Sequence, residues 1–140
     1  MPRFGKASLQ RRELLCKDLR RLVDAVIQVY DFSIICSHRG QEEQERCFNN
    51  GNSKAHFGQS AHNYMPSFAM DCWPYPAPYI QVQGIKQLDS NSPEWNKMGQ
   101  VFKDMAENLG IEIEWGGDWE SISDKPHIEI KSWKTKVKNI

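Results

Sequence analysis

Two groups of residues, far apart in the chain, carry the donor types of a catalytic metal centre. The first is Ser60-Ala-His62 followed by Asp71, and the second is Asp124-Lys-Pro-His127-Ile-Glu129. A catalytic zinc ion takes three protein ligands from His, Asp, Glu or Cys and keeps a fourth position for water, whose pKa falls to about 7. His62, Asp71 and His127 would make such a set, with Asp124 three residues before the last of them. A chain so equipped would be a hydrolase. A histidine taken alone is more often structural than a ligand, and His38 and His56 compete for the role. The company of Ser60 and Asp71 around the first histidine, and of Asp124 and Glu129 around the second, favours His62 and His127.

Those donors need a scaffold to bring them together. His62 and Asp71 are nine residues apart, too far for one helical face but suited to a loop residue and the strand that follows it. Residues 51–66 are rich in Gly, Asn, Ser and His without usable periodicity, which reads as a loop, and Ser67 to Trp73 reads as a strand delivering Asp71. Pro74, Pro76 and Pro78 deny the next segment a regular ladder, and Ile80 to Ile85 has the form of a hairpin arm. Upstream, Leu15, Leu19, Leu22, Val26 and Val29 recur as one face of a long helix with Ser8 as its N-cap. Asp31 to Ser37 reads as a strand, and Gln41 to Phe48 as a short polar helix stopped at Asn49-Asn50-Gly51.

The clearest helix runs from Pro93 to Leu109, with Ser92 as cap and Gly110 as stop. Its stripe of Trp95, Met98, Val101, Phe102, Met105 and Leu109 is a core face. Ile111 to Trp115 and His127 to Ile130 alternate as strands on either side of the Gly116-Gly117 turn. The expected fold class is α+β: a small, mainly antiparallel sheet with helices packed on one side and the zinc site at the sheet edge or cleft. With 140 residues and no repeats or low-complexity linker, residues 1–140 are expected to form a single domain.

Charge and composition exclude several classes. Lys plus Arg and Asp plus Glu are 18 each, which gives no basic stripe for nucleic acid. The basic stretches at Arg11-Arg12, Lys17 to Arg21 and Lys131 to Lys138, and the acidic one at Glu42 to Glu45, read as solvated faces. No apolar run reaches the roughly 20 residues of a membrane span, and the start leads into a charged helix instead of a signal core. Cys16, Cys36, Cys47 and Cys72 contain no Cys-x-x-Cys pair and read as reduced, mostly buried small hydrophobes.

Taken in order, these motifs resemble the zinc peptidases of peptidoglycan. That family includes D-alanyl-D-alanine carboxypeptidases, vancomycin-resistance D,D-peptidases and phage L-alanyl-D-glutamate endolysins. Its pattern begins Ser-x-His and ends Ala-x-Asp, as do Ser60-Ala-His62 and Ala69-Met-Asp71, and it later sets an acidic residue three before a histidine, as in Asp124-Lys-Pro-His127. Ser37-His-Arg39-Gly-Gln-Glu-Glu-Gln44 has the form of the family's arginine between a strand and a Gln/Glu-rich helix. Trp115-Gly-Gly-Asp-Trp119 is similar to its phage members. One departure is the segment Asn63 to Phe68, which lacks the glycine of the commonest motif and is longer than it, so the loop is expected to bulge differently.

The resemblance implies roles. His62, Asp71 and His127 would hold one Zn²⁺, and Asp124 would be the general base, against the alternative of a turn-capping Asp before Lys-Pro. Arg39 would stabilise the oxyanion, a role suited to a fixed, always-charged fork of donors, whereas the residue alone reads as a surface arginine. Ser60 would donate a hydrogen bond to substrate or to a ligand, and Glu129 would either orient a ligand or serve as base in place of Asp124. Trp115, Asp118 and Trp119 would line the cleft or close it, with Trp115 assigned to substrate.

The implied function is a zinc-dependent peptidase cutting an amide bond of the peptidoglycan stem peptide, an L-alanyl-D-glutamate endopeptidase acting as a phage endolysin in host-cell lysis. The expected enzyme is a monomer with no nucleic-acid partner and no stable membrane insertion. It would be made in the host cytoplasm without a signal peptide and would act on the periplasmic wall. The alternatives are a D-alanyl-D-alanine carboxypeptidase or dipeptidase, a non-catalytic wall-binding module of the same fold, and a small metal-binding regulator ligating through Cys47 or Cys72.

Overall fold

The N-terminal apolar stripe folds as two helices, α1 (Lys6–Arg12) and α2 (Lys17–Val26), where one long helix was expected. The computed structural model describes residues 2–138 and shows why the stripe breaks. Backbone groups at the junction leave the helix to pair with Ser67: its N–H donates to the Leu14 carbonyl at 2.8 Å, and the Cys16 N–H donates to the Ser67 carbonyl at 2.9 Å. Gly5, not Ser8, is the N-cap of α1, and buried Ser8 instead accepts the Ile34 N–H on its hydroxyl at 3.0 Å. Leu15, Leu19, Leu22 and Val26 are buried as their spacing predicts, but Val29 lies beyond the helix and is 65% exposed.

The chain continues through β1 (Phe32–Cys36), α3 (Gln41–Asn49), β2 (Ala69–Pro74), β3 (Tyr79–Val82), β4 (Ile85–Leu88), α4 (Pro93–Leu109), β5 (Ile113–Trp115), β6 (His127–Ile130) and α5 (Trp133–Val137). The arm expected at Ile80 to Ile85 is split by a turn at Gln83 and Gly84, both with positive φ, so β3 and β4 form a separate two-stranded hairpin. The short helix α5 has no counterpart in the pattern reading.

Helix α4 has the expected bounds because its signals are local and agree. The Ser92 hydroxyl accepts the Glu94 N–H, Pro93 occupies the first turn, and Gly110 closes the helix at φ 72°. Trp95, Met98, Phe102 and Ala106 are buried. Fully burying a side chain such as Met98 or Phe102 contributes about 1.5–3 kcal/mol. Helix α4 packs on α2, β2 and β5, while α1 lies along β1.

The main sheet is antiparallel in the order β1-β2-β6-β5. Side chains alternate between its faces. Ile34 opposes Cys72, and Met70 opposes Ile128, which in turn opposes Trp115; all are buried on the side of the helices. The neighbouring positions form the opposite face: Asp71 opposite His127, and Ala69 and Glu114 opposite Glu129. A bulge between Ile34 and Cys36 shifts β1 by one residue, so that Cys36 faces Asp71. Three strands thus set Cys36, Asp71 and His127 in one row.

Candidate metal centre

Asp71 stands at the middle of a cleft of about 580 Å³ lying over the two central strands. Its Oδ1 is 3.5 Å from His62 Nε2 and 3.4 Å from His127 Nδ1, and its Oδ2 is 3.5 Å from the Arg39 guanidinium. Charge-assisted hydrogen bonds are shorter, about 2.7–2.9 Å. Donors around a tetrahedral zinc, with metal–ligand bonds of about 2.0–2.1 Å, stand about 3.3 Å apart, near the spacing of each histidine from Asp71.

His62 is delivered by a single turn of 3₁₀ helix, Ala61–Asn63. The Ser60 hydroxyl caps that turn by accepting the His62 N–H, and Asn63 Oδ1 accepts from the backbone of Ser60 and Gly58. Asn63 Nδ2 donates to the Arg39 carbonyl and to Gln44 Oε1. Gln44 is fully buried; its Oε1 also accepts from Arg39, and its amide donates to Ser53 and to the Ala55 carbonyl. With both ends of the Gln44 and Asn63 amides paired, this part of the network is rigid, because losing any partner strands another polar group. It ties the loop, the arginine and helix α3 together. Pattern reading missed Gln44 and Asn63; the dense run of amides and hydroxyls between Gln44 and Asn63 was their one signal.

The long His62-to-Asp71 spacing is absorbed in the same way. Asn63 anchors one end of the insertion, and the Ser67 backbone pairs with Leu14 and Cys16 at the other. The Ser67 hydroxyl then donates to the Ser37 and Ala69 carbonyls, so Asp71 still arrives beside His62.

Both imidazoles are oriented by their far nitrogens. His62 Nδ1 lies 2.7 Å from the Ser37 carbonyl, which can only accept, so the proton sits on Nδ1 and Nε2 is directed at Asp71. Nε2 is buried and has no hydrogen-bond partner. His127 Nε2 is 2.7 Å from Glu129 Oε1, and the Trp133 indole donates to Glu129 Oε2 at 3.0 Å. Glu129 thus fixes the His127 ring and is itself held by a residue of α5.

The charge on Asp71 dominates the electrostatics of the site. Burial alone would push Asp71 up, yet His127 and His62 hold it well below the ordinary carboxylate range. Burial opposes charge on His62 as well, but Asp71 and the Cys36 sulfur outweigh it and raise its pKa to about 10; His127 is likewise raised by Asp71 and Glu129. The negative potential of Asp71 that favours the charged form of both rings would equally favour a metal ion beside them. Two donor groups span no more than 4.8 Å each: Cys36, His62 and Asp71, and Asp71, Asp124 and His127. Asp71 belongs to both, so a single ion held by His62 and His127 requires the rings to draw together around it. With two oriented imidazoles, a carboxylate and an orphaned buried nitrogen, the donor set fits a zinc ion. Neither Cys47 nor Cys72 joins these groups; Cys16 and Cys72 are buried, and Cys36 and Cys47 only partly so.

Asp124 lines the cleft, and burial followed by the Asp71 charge raises its pKa against the pull of His127, His62 and Arg39. Its position depends on Gly116: the Asp124 N–H donates to the Gly116 carbonyl at 2.9 Å, and a Cβ on Gly116 would clash with the Asp124 carbonyl oxygen. Arg39 and Ser60 also line the cleft. Trp115 does not. It is buried between Gly99 and Gly117 and donates its indole N–H to the Lys125 carbonyl at 2.7 Å, which steadies the segment carrying Asp124. Trp119 lines the cleft instead and packs 5.0 Å from the His127 ring. His38 contacts the Tyr64 carbonyl and His56 pairs with Glu45, both away from Asp71.

The family model of the phage L-alanyl-D-glutamate peptidase matches residues 1–136. The chain belongs to that family. It is a peptidoglycan hydrolase of the phage L-alanyl-D-glutamate type, and the cell wall is its substrate. Among solved structures, the peptidase resembles the crystal structure of the Serratia marcescens L-Ala D-Glu endopeptidase ChiX. The TM-score is 0.72 at 20% identity, over 95% of this chain and 93% of that one, which shows a shared fold. No curated protein matches the sequence. No helix among the described residues is long and apolar enough to cross a membrane.

Proposed function

We propose that the peptidase is zinc-dependent, with His62, Asp71 and His127 as the metal donors, Asp124 as general base and Arg39 as the oxyanion donor. Residues 1–140 then act as one catalytic domain and as a monomer. The observation that carries this reading is the buried, unpartnered Nε2 of His62 directed at an Asp71 carboxylate that also faces His127. Bound there, Zn²⁺ would act as a Lewis acid and bring the pKa of a bound water to about 7.

The protein's own groups do the rest. The Ser37 carbonyl and Glu129 fix the two imidazoles so that each presents one lone pair. Asp124, made more basic by burial and by Asp71, takes a proton from the attacking water as its oxygen bonds to the carbonyl carbon of L-alanine. It returns the proton to the D-glutamate nitrogen as the C–N bond breaks, a role worth about 10²–10⁴-fold. Arg39, held by Gln44 and Asp71, supplies fixed positive charge where the carbonyl oxygen becomes negative. Ser60 acts through the turn that carries His62, and Trp119 forms a wall of the cleft. Made in the host cytoplasm, the enzyme would act once it reaches the periplasmic wall.

Elemental analysis and digestion of purified peptidoglycan test this directly. The expected result is one zinc per chain and new D-glutamate amino termini. Asp124→Ala should keep the zinc and lose hydrolysis, whereas His127→Ala should lose both. Release of free D-alanine alone, or full activity in Asp124→Ala, would overturn the assignment.

A further inference from the structure

Strand β1 enters the site through its bulge. Phe32, Ser33 and Ile34 oppose Pro74, Trp73 and Cys72, a register that would set Cys36 against Met70 on the apolar face. The extra residue, Ile35, moves Cys36 opposite Asp71 instead. Directly opposed residues of an antiparallel pair project from the same face, and a one-residue slip exchanges the faces. Cys36 is thereby taken from the core side and added to the row containing Asp71 and His127. A donor atom from each of Cys36, His62 and Asp71 lies within 4.8 Å of the others. His62, only 1% exposed and with its Nε2 left without a hydrogen-bond partner, belongs to this group. Cys36 has no disulfide partner.

We propose that Cys36, His62 and Asp71 form a second, overlapping metal site for a thiophilic divalent cation, Cd²⁺ or excess Zn²⁺. The inference rests on the reading above in which His62 and Asp71 are metal donors. A thiolate, an imidazole and a carboxylate form a softer set than two imidazoles and a carboxylate, and thiolates favour soft cations. On binding, the Cys36 S–H proton passes to solvent and a sulfur–metal bond forms, with no change of oxidation state. Because the two sites share His62 and Asp71, a cation held through Cys36 withdraws both from the peptidase set. Hydrolysis is then inhibited by thiophilic cations in a Cys36-dependent manner.

The test is titration of the full chain, stripped by chelator, with Cd²⁺. Wild-type protein should develop a thiolate-to-cadmium ultraviolet band that saturates at one ion per chain. Cys36→Ser should lose the band, and Cys47→Ser should keep it. The ¹¹³Cd resonance of wild-type protein reads the donor set without any substitution, and it should lie in the downfield region of sulfur ligation. A band that persists in Cys36→Ser, or one bound Cd²⁺ with a resonance of nitrogen and oxygen ligation only, overturns the proposal and leaves the peptidase reading intact. Failure of the wild-type chain to bind any divalent ion overturns both.

Discussion

The two faces of the four-stranded sheet are built from alternate residues of the same strands, yet they obey different rules. Met70, Cys72 and Ile128 face the helices and are 0% exposed; Asp71, His127 and Glu129 face the cleft. On the apolar face stability comes from non-directional burial, so shape and volume matter more than identity. On the polar face each group must find a partner or pay for its desolvation. Nearly every group there does, through Ser37, Gln44, Asn63 and Glu129. Among the described residues, the buried side-chain atoms without a partner are His62 Nε2, Arg39 Nε and Ser37 Oγ, and the residues of the first two stand directly beside Asp71. The contrast separates a face that holds the fold from one that gathers metal-donor side chains.

Substitutions can break that contrast in order of expected effect. Asp124→Asn should lower turnover by about 10²–10⁴-fold while zinc content and melting temperature stay near wild type, read by muropeptide release and metal analysis. Phe102, packed edge-on against Phe32 with ring centroids 5.0 Å apart, belongs to the other class. Phe102→Ala should cost about 3–5 kcal/mol in denaturant unfolding and leave the metal stoichiometry of the folded fraction unchanged. Glu129→Gln tests the boundary between the classes. It should weaken zinc affinity by about 10–100-fold in chelator competition with a small change in unfolding, since it removes the charge that orients His127.

The smallest effect is expected far from the cleft, at Tyr30. Its hydroxyl donates to Glu94 at 3.0 Å, and this bond, with Lys97, lowers the Glu94 pKa. A depressed carboxylate stabilises the fold above the ordinary carboxylate range, and that contribution is lost as acid protonates it. Tyr30→Phe should therefore cost about 0.5–1.5 kcal/mol at neutral pH and flatten the acid limb of the stability curve, with activity unchanged. A large loss of zinc in Phe102→Ala, or of stability in Glu129→Gln, would show that the two faces are not separable.

Legibility in the sequence followed the range of the forces involved. Helix α4 could be read to its end residues because cap, proline, stripe and glycine stop all lie within it. β6 could be read because His127 and Glu129 alternate with Ile128 and Ile130. The N-terminal helix was misread because what divides it is Ser67, more than fifty residues away. Trp115 and Trp119 look interchangeable in the sequence, yet contacts with Gly99, Gly117 and Lys125 bury one and leave the other on the cleft.

By itself, the sequence determined the donor types, their order and the alternation that sets Asp71 and His127 opposite the core. These are matters of covalent order and of periods of two and 3.6 residues. Only the tertiary structure decided which nitrogen of each histidine faces Asp71, that Gln44 and Asn63 brace the loop, and that Cys36 stands beside His62. A bulge and a buried hydrogen-bond network depend on distant partners, and no local pattern encodes them.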